Sequence, residues 1–350
     1  MIQELSIDDF YLRGNAIPLI DVRTPAEFEK GHIPNAINIP LFSNDERAHV
    51  GTVYVQESKE KAIELGYQYV NPKLTWFIDE SKKVAGQLPV AIHCWRGGMR
   101  SHAFAEHLHS NGFQEVYVIT GGYKAFRNYV LNFFEKPFQL RIVGGYTGSG
   151  KTHILRSLEK LEHQVIDLEG LAHHKGSAFG SIGELPQPTV EQFENNLFDL
   201  LRVLNSNEPI WVEDESHNIG RAQIPISFFN QIRNQVVYFV NIPKEKRALH
   251  LVDEYSGFGN DLIAISIQKI AKRLGGLNVK LAHEFLEANN YYEVVMLALI
   301  YYDKTYRKGI DSRNPEMVFE IPLPDVNHTN NAKSILKFVE ENERNKTHTI

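Results

Sequence analysis

Sulfur is scarce in this chain: 350 residues carry one cysteine, Cys94, and four methionines. A single cysteine excludes an intrachain disulfide framework and fits a reducing compartment. Long apolar runs are missing as well. No stretch approaches the roughly 20 apolar residues of a membrane span. The opening residues Met1 to Leu5 have neither the basic nor the apolar region of a secretory signal, so a cytoplasmic location is expected. There is no excess of basic charge. The formal charge of −6 divides into −2 over residues 1–137 (14 basic against 16 acidic) and −4 over the remainder (23 against 27). Neither part has the composition of a nucleic-acid-binding domain, and such a partner has to be held by a local patch. Internal repeats and low-complexity tracts are absent, and the polar tail from Glu340 to Ile350 is expected to fray.

What is present suffices for buried cores: 43% of the residues are hydrophobic and 11% aromatic. The length exceeds what one core usually sustains, so two domains are expected. From Ile17 to about Tyr129 short apolar strands (18–21, 90–93, 116–119) alternate with helical spacing (59–65, 74–85, 102–109, 123–134), a pattern of parallel α/β architecture. Glu135-Lys136-Pro137 marks the boundary, because proline ends the helix and a new apolar strand, 139–143, follows. The expected domains are therefore residues 1–136 and 137–350. In the second, strands at 164–167, 209–213 and 235–240 and helices at 190–204, 262–274 and 291–307 describe a doubly wound parallel sheet.

The cysteine sits in His93-Cys94-Trp95-Arg96-Gly97-Gly98-Met99-Arg100-Ser101, read as a strand end, a tight loop and a helix starting at Arg100-Ser101. A thiolate is favoured by nearby cations and helix-terminal amides, and Arg96 and Arg100 follow the sulfur by two and six residues. Gly97 and Gly98 let the loop turn its amides inward as an anion nest. Cys94, Arg96 and Arg100 are the candidate catalytic residues; the alternative is a small buried structural cysteine. The string also fits the His-Cys-x5-Arg-Ser pattern of cysteine-dependent phosphatases. Upstream, Asp21-Val22-Arg23-Thr24-Pro25-Ala26-Glu27-Phe28, followed by Gly31 to Pro40, resembles the amino-terminal motif of the rhodanese family. Gly121-Gly122-Tyr123 resembles its closing motif, with Tyr123 where rhodaneses usually carry Trp. Asp21, Arg23 and His32 are read as scaffolding. Five residues separate Cys94 from Arg100, one more than in common single-domain rhodaneses. That wider nest suits a phosphate-sized group.

The second loop, Gly145-Tyr146-Thr147-Gly148-Ser149-Gly150-Lys151-Thr152, follows an apolar strand and opens a helix, which is the context of a phosphate-binding P-loop. Its amides and helix dipole would cradle a diphosphate, Lys151 would neutralise charge, and Thr152 would hold Mg²⁺. Trp211-Val212-Glu213-Asp214-Glu215-Ser216 ends a strand where a second metal-binding carboxylate belongs. Either Asp214 or Glu213 holds the metal through water, or the segment is a solvated turn. His173-His174-Lys175-Gly176-Ser177-Ala178-Phe179-Gly180 is rich in donors but lacks a third zinc ligand; His174, Lys175 and Ser177 are assigned to phosphate or RNA contact. Arg221, Lys272, Arg273, Lys304, Arg307 and Lys308 are candidates for local positive charge or are solvated helix face. Tyr291, Tyr292, Tyr301, Tyr302 and Tyr306 stack bases or fill the core, core packing being the default.

Joined in this order, the rhodanese-like cysteine loop, Gly145 to Thr152, Leu168 to Gly180 and Glu213 to Gly220 resemble the tRNA 2-selenouridine synthase family over nearly the whole chain. The resemblance implies a rhodanese-like domain followed by a P-loop NTPase-like domain. It further implies a transferase acting on the wobble 2-thiouridine of tRNA, first geranylating sulfur from geranyl diphosphate and then replacing S-geranyl with selenium from selenophosphate. On that basis the diphosphate is expected on Gly145, Thr147, Gly148, Ser149, Gly150, Lys151 and Thr152, with Mg²⁺ and without ATP hydrolysis. Selenophosphate is expected at the nest of Arg96 to Arg100, with selenium passing through a selenosulfide on Cys94, although the P-loop is an alternative place for it. Two other classes stay open: a phosphatase or rhodanese sulfurtransferase fused to a nucleotide-binding domain, and a nonenzymatic nucleotide-gated RNA-binding or sulfur-carrier module.

Overall fold

The computed structural model describes residues 1–13, 17–86 and 88–347, and the chain divides into two compact units, Met1–Phe133 and Phe134–Ile350. In the first, β1 (Ile2–Leu5), β2 (Leu19–Asp21), β3 (Ile37–Asn38), β4 (Val90–His93) and β5 (Val116–Ile119) form a sheet of order β1-β5-β4-β2-β3. All of its pairings are parallel. β2, β4 and β5 are buried along their whole lengths, as strands covered on both faces must be. Ile20, Ile92 and Val118 pack there with Phe77, Phe104 and Leu108. The helix Met99–Ser110 buries Ser101, Phe104, Ala105 and Leu108, a spacing of three, four and seven that keeps one stripe on the sheet. It starts at Met99, one residue before the expected Arg100.

The second unit places β6 (Leu140–Gly145), β7 (Gln164–Ile166), β8 (Ile210–Glu213), β11 (Val237–Asn241) and β12 (Val318–Pro322) in the order β12-β11-β6-β8-β7, all parallel. A small antiparallel ribbon of β9 (Asn218–Ile219) and β10 (Ala222–Gln223) lies outside it. β6 is central, and the helix Lys151–Glu159 returns from it, burying Ile154, Leu155 and Leu158 against Val143, Trp211 and Val240. Each such side chain is worth about 1.5–3 kcal/mol of burial. The helices Asn260–Leu274, Gly276–Glu287 and Tyr291–Asp311 share a separate core around Ile267, Ala282, Leu286, Ala298 and Tyr302.

The edge strands β1, β3 and β12 were not foreseen: each is half-buried or exposed along most of its length, unlike the fully buried central strands. The tail does not fray at Glu340, since the helix His328–Thr347 runs through it; residues 348–350 lie outside the described residues. Among the described residues no helix is long and apolar enough to cross a membrane.

Candidate functional site

Cys94 follows the carboxyl end of β4 directly, next to the ends of β2 and β5. Open parallel sheets place ligands at such strand ends. The loop is clamped to the turn after β5: Tyr123 donates its amide to the Cys94 carbonyl at 2.9 Å and Lys124 to the Trp95 carbonyl at 3.0 Å. Gly122 has φ 56°, and a Cβ there would lie 2.3 Å from the Cys94 carbonyl oxygen. Glycine is required at that position by both conformation and space.

The residue Cys94 is only 4% exposed, and its sulfur is held by two neighbours. It lies 3.3 Å from the Ser101 hydroxyl and accepts the Gly98 amide at 3.3 Å. Burial pushes the thiol up, but the Ser101 hydroxyl, the Arg100 charge and the Arg96 and Gly98 amides outweigh it, and its pKa falls below the ordinary value. Arg100 acts at a distance, with its guanidinium held by Glu27 at 3.0 and 3.4 Å. Arg96 contributes its amide while its side chain is exposed. Ser101 and Glu27 stood in the quoted motifs, but nothing in their spacing marked them as partners of Cys94 and Arg100. Asp21 and Arg23 brace one another in a buried bidentate pair, with contacts of 2.6 to 3.0 Å. Arg23 also lies 3.8 Å over the Tyr123 ring. His32 stacks on Phe28 at 3.9 Å and bonds its carbonyl, a packing role.

The phosphate loop joins β6 to the helix Lys151–Glu159, and Gly150 takes φ 71° at the turn. A cleft of about 260 Å³ is lined by Thr147 to Thr152 together with Lys175, Ser177, Glu169 and Tyr306. Lys151 is buried; its ammonium lies 3.3 Å from the Tyr306 hydroxyl, 3.5 Å from the Gly145 carbonyl and 3.7 Å from Glu215. Burial opposes its charge, yet Tyr306, Glu215 and Glu169 raise its pKa. Arg247, buried between Asp303 and the Thr147 carbonyl at 2.8 to 2.9 Å, fixes the loop from behind.

Three glutamates gather here. Thr152 donates to Glu169 at 2.6 Å, and the Glu169 amide donates to Glu213 at 2.9 Å. Burial first, then the neighbouring acids Asp167 and Glu169, push Glu213 far up. Burial and Glu169 push Glu215 up to about 8, against Lys151. One oxygen each of Glu213 and Glu215 is buried without a hydrogen-bond partner. Thr152, Glu169, Glu213 and Glu215 thus bring to the start of the P-loop helix oxygen atoms of the type that Mg²⁺ takes.

The metal assignment of Asp214 is corrected. Its carboxylate is engaged by Arg313 and, at 3.5 Å, by Arg233, so it anchors β8 while the glutamates on either side face the loop. Gly145, His174 and Arg221 are absent from the cleft lining, Gly145 ending β6 with its carbonyl toward Lys151. His174 packs against Gly180, and Arg221 is exposed at the β9–β10 turn. Lys175 reaches the cleft and pairs with Glu184 at 3.5 Å. Tyr302 belongs to the helical core, as the default reading had it, whereas Tyr306 serves Lys151. Thr147, Ser177, Leu251 and Tyr255 also wall an apolar cavity of about 40 Å³ completed by Ile263, Val294, Ala298 and Leu299. In the first unit, an apolar groove of about 670 Å³ runs beside Met99 and Arg100, lined by Phe42, Tyr54, Ala62, Tyr67 and Phe77.

A cysteine loop at the carboxyl end of the central strand β4 and a P-loop cleft define an enzyme of the rhodanese and P-loop classes. The rhodanese-like domain model matches residues 7–129, and the tRNA 2-selenouridine synthase AAA domain model matches residues 138–259. A tRNA 2-selenouridine synthase of Nitrosomonas europaea is 40% identical over 72% of this chain and 67% of its own length. Those of Bdellovibrio bacteriovorus and a Sulfurovum species are 35% and 33% identical, over 87% and 93% of this chain and 92% and 95% of theirs. The chain belongs to the tRNA 2-selenouridine synthase family.

Proposed function

We propose that this enzyme converts the wobble 2-thiouridine of tRNA to 2-selenouridine through an S-geranyl-2-thiouridine intermediate, using geranyl diphosphate and then selenophosphate. The tRNA substrate comes from the names of its relatives. The choice of a prenyl diphosphate for the P-loop rests on one observation: the phosphate cleft shares four wall residues with an apolar cavity. The cleft suits the diphosphate, and the cavity of about 40 Å³ has room for the first carbons of a hydrocarbon tail.

In the first step the thiouridine sulfur bonds to C1 of the geranyl group as the bond to diphosphate breaks. Lys151 and the loop amides at the helix start stabilise the charge gathered on the departing diphosphate. Mg²⁺, held by Thr152 and the glutamates, would supply further charge neutralisation. ATP hydrolysis has no part in this scheme.

In the second step selenophosphate occupies the nest of Arg96 to Arg100. The Cys94 thiolate attacks phosphorus, forming a P–S bond as the P–Se bond breaks. The freed selenide adds to C2 and expels geranyl thiolate, and water then cleaves the phosphocysteine to phosphate and thiolate. A selenosulfide on Cys94 would instead oxidise selenium at the expense of phosphorus and need a reductant on delivery. The groove beside Met99 and Arg100 offers the S-geranyl chain an apolar bed.

The lowered Cys94 pKa and the Cys-x5-Arg spacing equally favour a cysteine-dependent phosphatase, which would stop at the phosphocysteine and its hydrolysis. Nucleoside mass spectrometry of 2-thiouridine tRNA incubated with Mg²⁺ and both donors, each omitted in turn, separates the readings. S-geranyl-2-thiouridine followed by 2-selenouridine is expected; release of phosphate without either nucleoside would favour the phosphatase. Cys94→Ser should abolish selenium incorporation and retain geranylation, and equal loss of both steps in a folded variant would refute the division of labour.

A further inference from the structure

Three histidines from three helices meet at the rim of the phosphate cleft. His153 lies in the first turn of Lys151–Glu159, His250 lies within Lys244–Tyr255, and His328 begins His328–Thr347. One ring nitrogen of each lies within 4.8 Å of the others. The ring centroids are 4.4 Å apart for His153 and His328, 5.3 Å for His250 and His328, and 5.6 Å for His153 and His250. His328 rests on the phosphate loop itself: a Cβ on Gly150 would meet its ring at 2.8 Å. Its Nε2 is buried without a hydrogen-bond partner.

A buried polar atom left unpaired costs about 1–3 kcal/mol. His32 and His107 bond a ring nitrogen to a backbone carbonyl, and His93 and His174 each keep one buried nitrogen unpaired as His328 does, but among the described residues neither has two further imidazoles beside it. Three imidazoles converging with a spare nitrogen are instead a donor set for a borderline transition metal. We propose that His153, His250 and His328 bind a Zn²⁺-class ion at the rim of the phosphate cleft.

Zinc–nitrogen bonds of about 2.0–2.1 Å in a tetrahedron put ligand nitrogens about 3.4 Å apart. Ring rotations moving nitrogens by about an ångström close the cluster to that size. His153 and His250 line the cleft along with Lys151 and Thr152, so the fourth position faces the bound phosphate and takes one of its oxygens. Glu254, 4.0 Å from His250 Nε2, adds negative charge at the rim. This nitrogen site is chemically separate from the oxygen set of Thr152 and the glutamates, which suits Mg²⁺. It explains why a histidine follows the P-loop threonine, and it holds whether or not the selenium chemistry is correct.

Cobalt replaces zinc with a visible spectrum, and the full chain can be stripped with chelator and titrated with Co²⁺. One equivalent should bind with the d–d bands of a tetrahedral ion and be displaced by Zn²⁺, and inorganic pyrophosphate should shift those bands. His328→Ala and His250→Ala should each weaken binding by 100-fold or more, with circular dichroism as the folding control. Cys94→Ser should leave the spectrum unchanged, which excludes the one thiolate as the ligand. Absence of tetrahedral bands in the parent chain would overturn the site regardless of how the variants fold. So would bands that persist in both histidine variants or vanish in Cys94→Ser. Bands indifferent to pyrophosphate would remove the shared phosphate ligand.

Discussion

Replacing Ser101 with alanine tests how the fold activates its single sulfur. The Ser101 hydroxyl stands 3.3 Å from Cys94 Sγ and 3.0 Å from the Gly98 carbonyl, and it has one hydrogen to give. With the thiol protonated, that hydrogen serves the carbonyl; once a thiolate forms, it turns to sulfur. A hydrogen bond to a charged group is worth about 1.5–3 kcal/mol, and the competing carbonyl places this one near the lower figure. At 1.36 kcal/mol per pKa unit, Ser101→Ala should raise the Cys94 pKa by about one unit. The Gly98 amide and the Arg100 charge remain, so the thiol stays nucleophilic at higher pH. Because Cys94 is the only cysteine, the pH dependence of iodoacetamide alkylation reports it without background. The parent midpoint should lie below that of a free thiol, and the variant's about one unit above the parent's. A shift under about 0.3 units in a folded variant would refute the hydroxyl's role and leave Arg100 and the amides as the cause.

Other measurements reach the second unit. Glu215 is raised from an ordinary 4.5 to about 8, so folding takes up a proton between those values. Its contribution to stability is complete below about pH 4.5 and is lost as pH rises through about 8. Urea unfolding should therefore show Glu215→Gln gaining on the parent between pH 5 and pH 9, and a constant difference would contradict the shift. Ala298→Val narrows the apolar cavity and should weaken geranyl diphosphate binding by calorimetry while sparing inorganic pyrophosphate; equal losses for both would remove the tail from that cavity. Arg313→Met strips the buried partner of Asp214 and should cost about 3–5 kcal/mol, where a metal role for Asp214 predicts lost Mg²⁺ binding at unchanged stability.

Much of this protein was decided along the chain. The strands 90–93, 116–119 and 209–213 were legible because strands buried on both faces read as unbroken apolar runs. Both anion loops were legible because a glycine-rich turn between a strand and a helix is a local device whose parts lie within ten residues of one another. What closes around those loops is not local. Glu27 reaches Arg100 from 73 residues away, Glu169 and Glu215 reach Thr152 and Lys151, and Tyr306 arrives from 155 residues away. Asp214 and its two glutamate neighbours are equivalent as letters. Only the turn that follows β8, where the Asp214 amide bonds the Val143 carbonyl, brought the Asp214 carboxylate to Arg313 and left the glutamates with the phosphate loop. The three histidines share no spacing at all, because parallel sheets gather strand ends from distant segments, and helix packing then sets which side chains face one another.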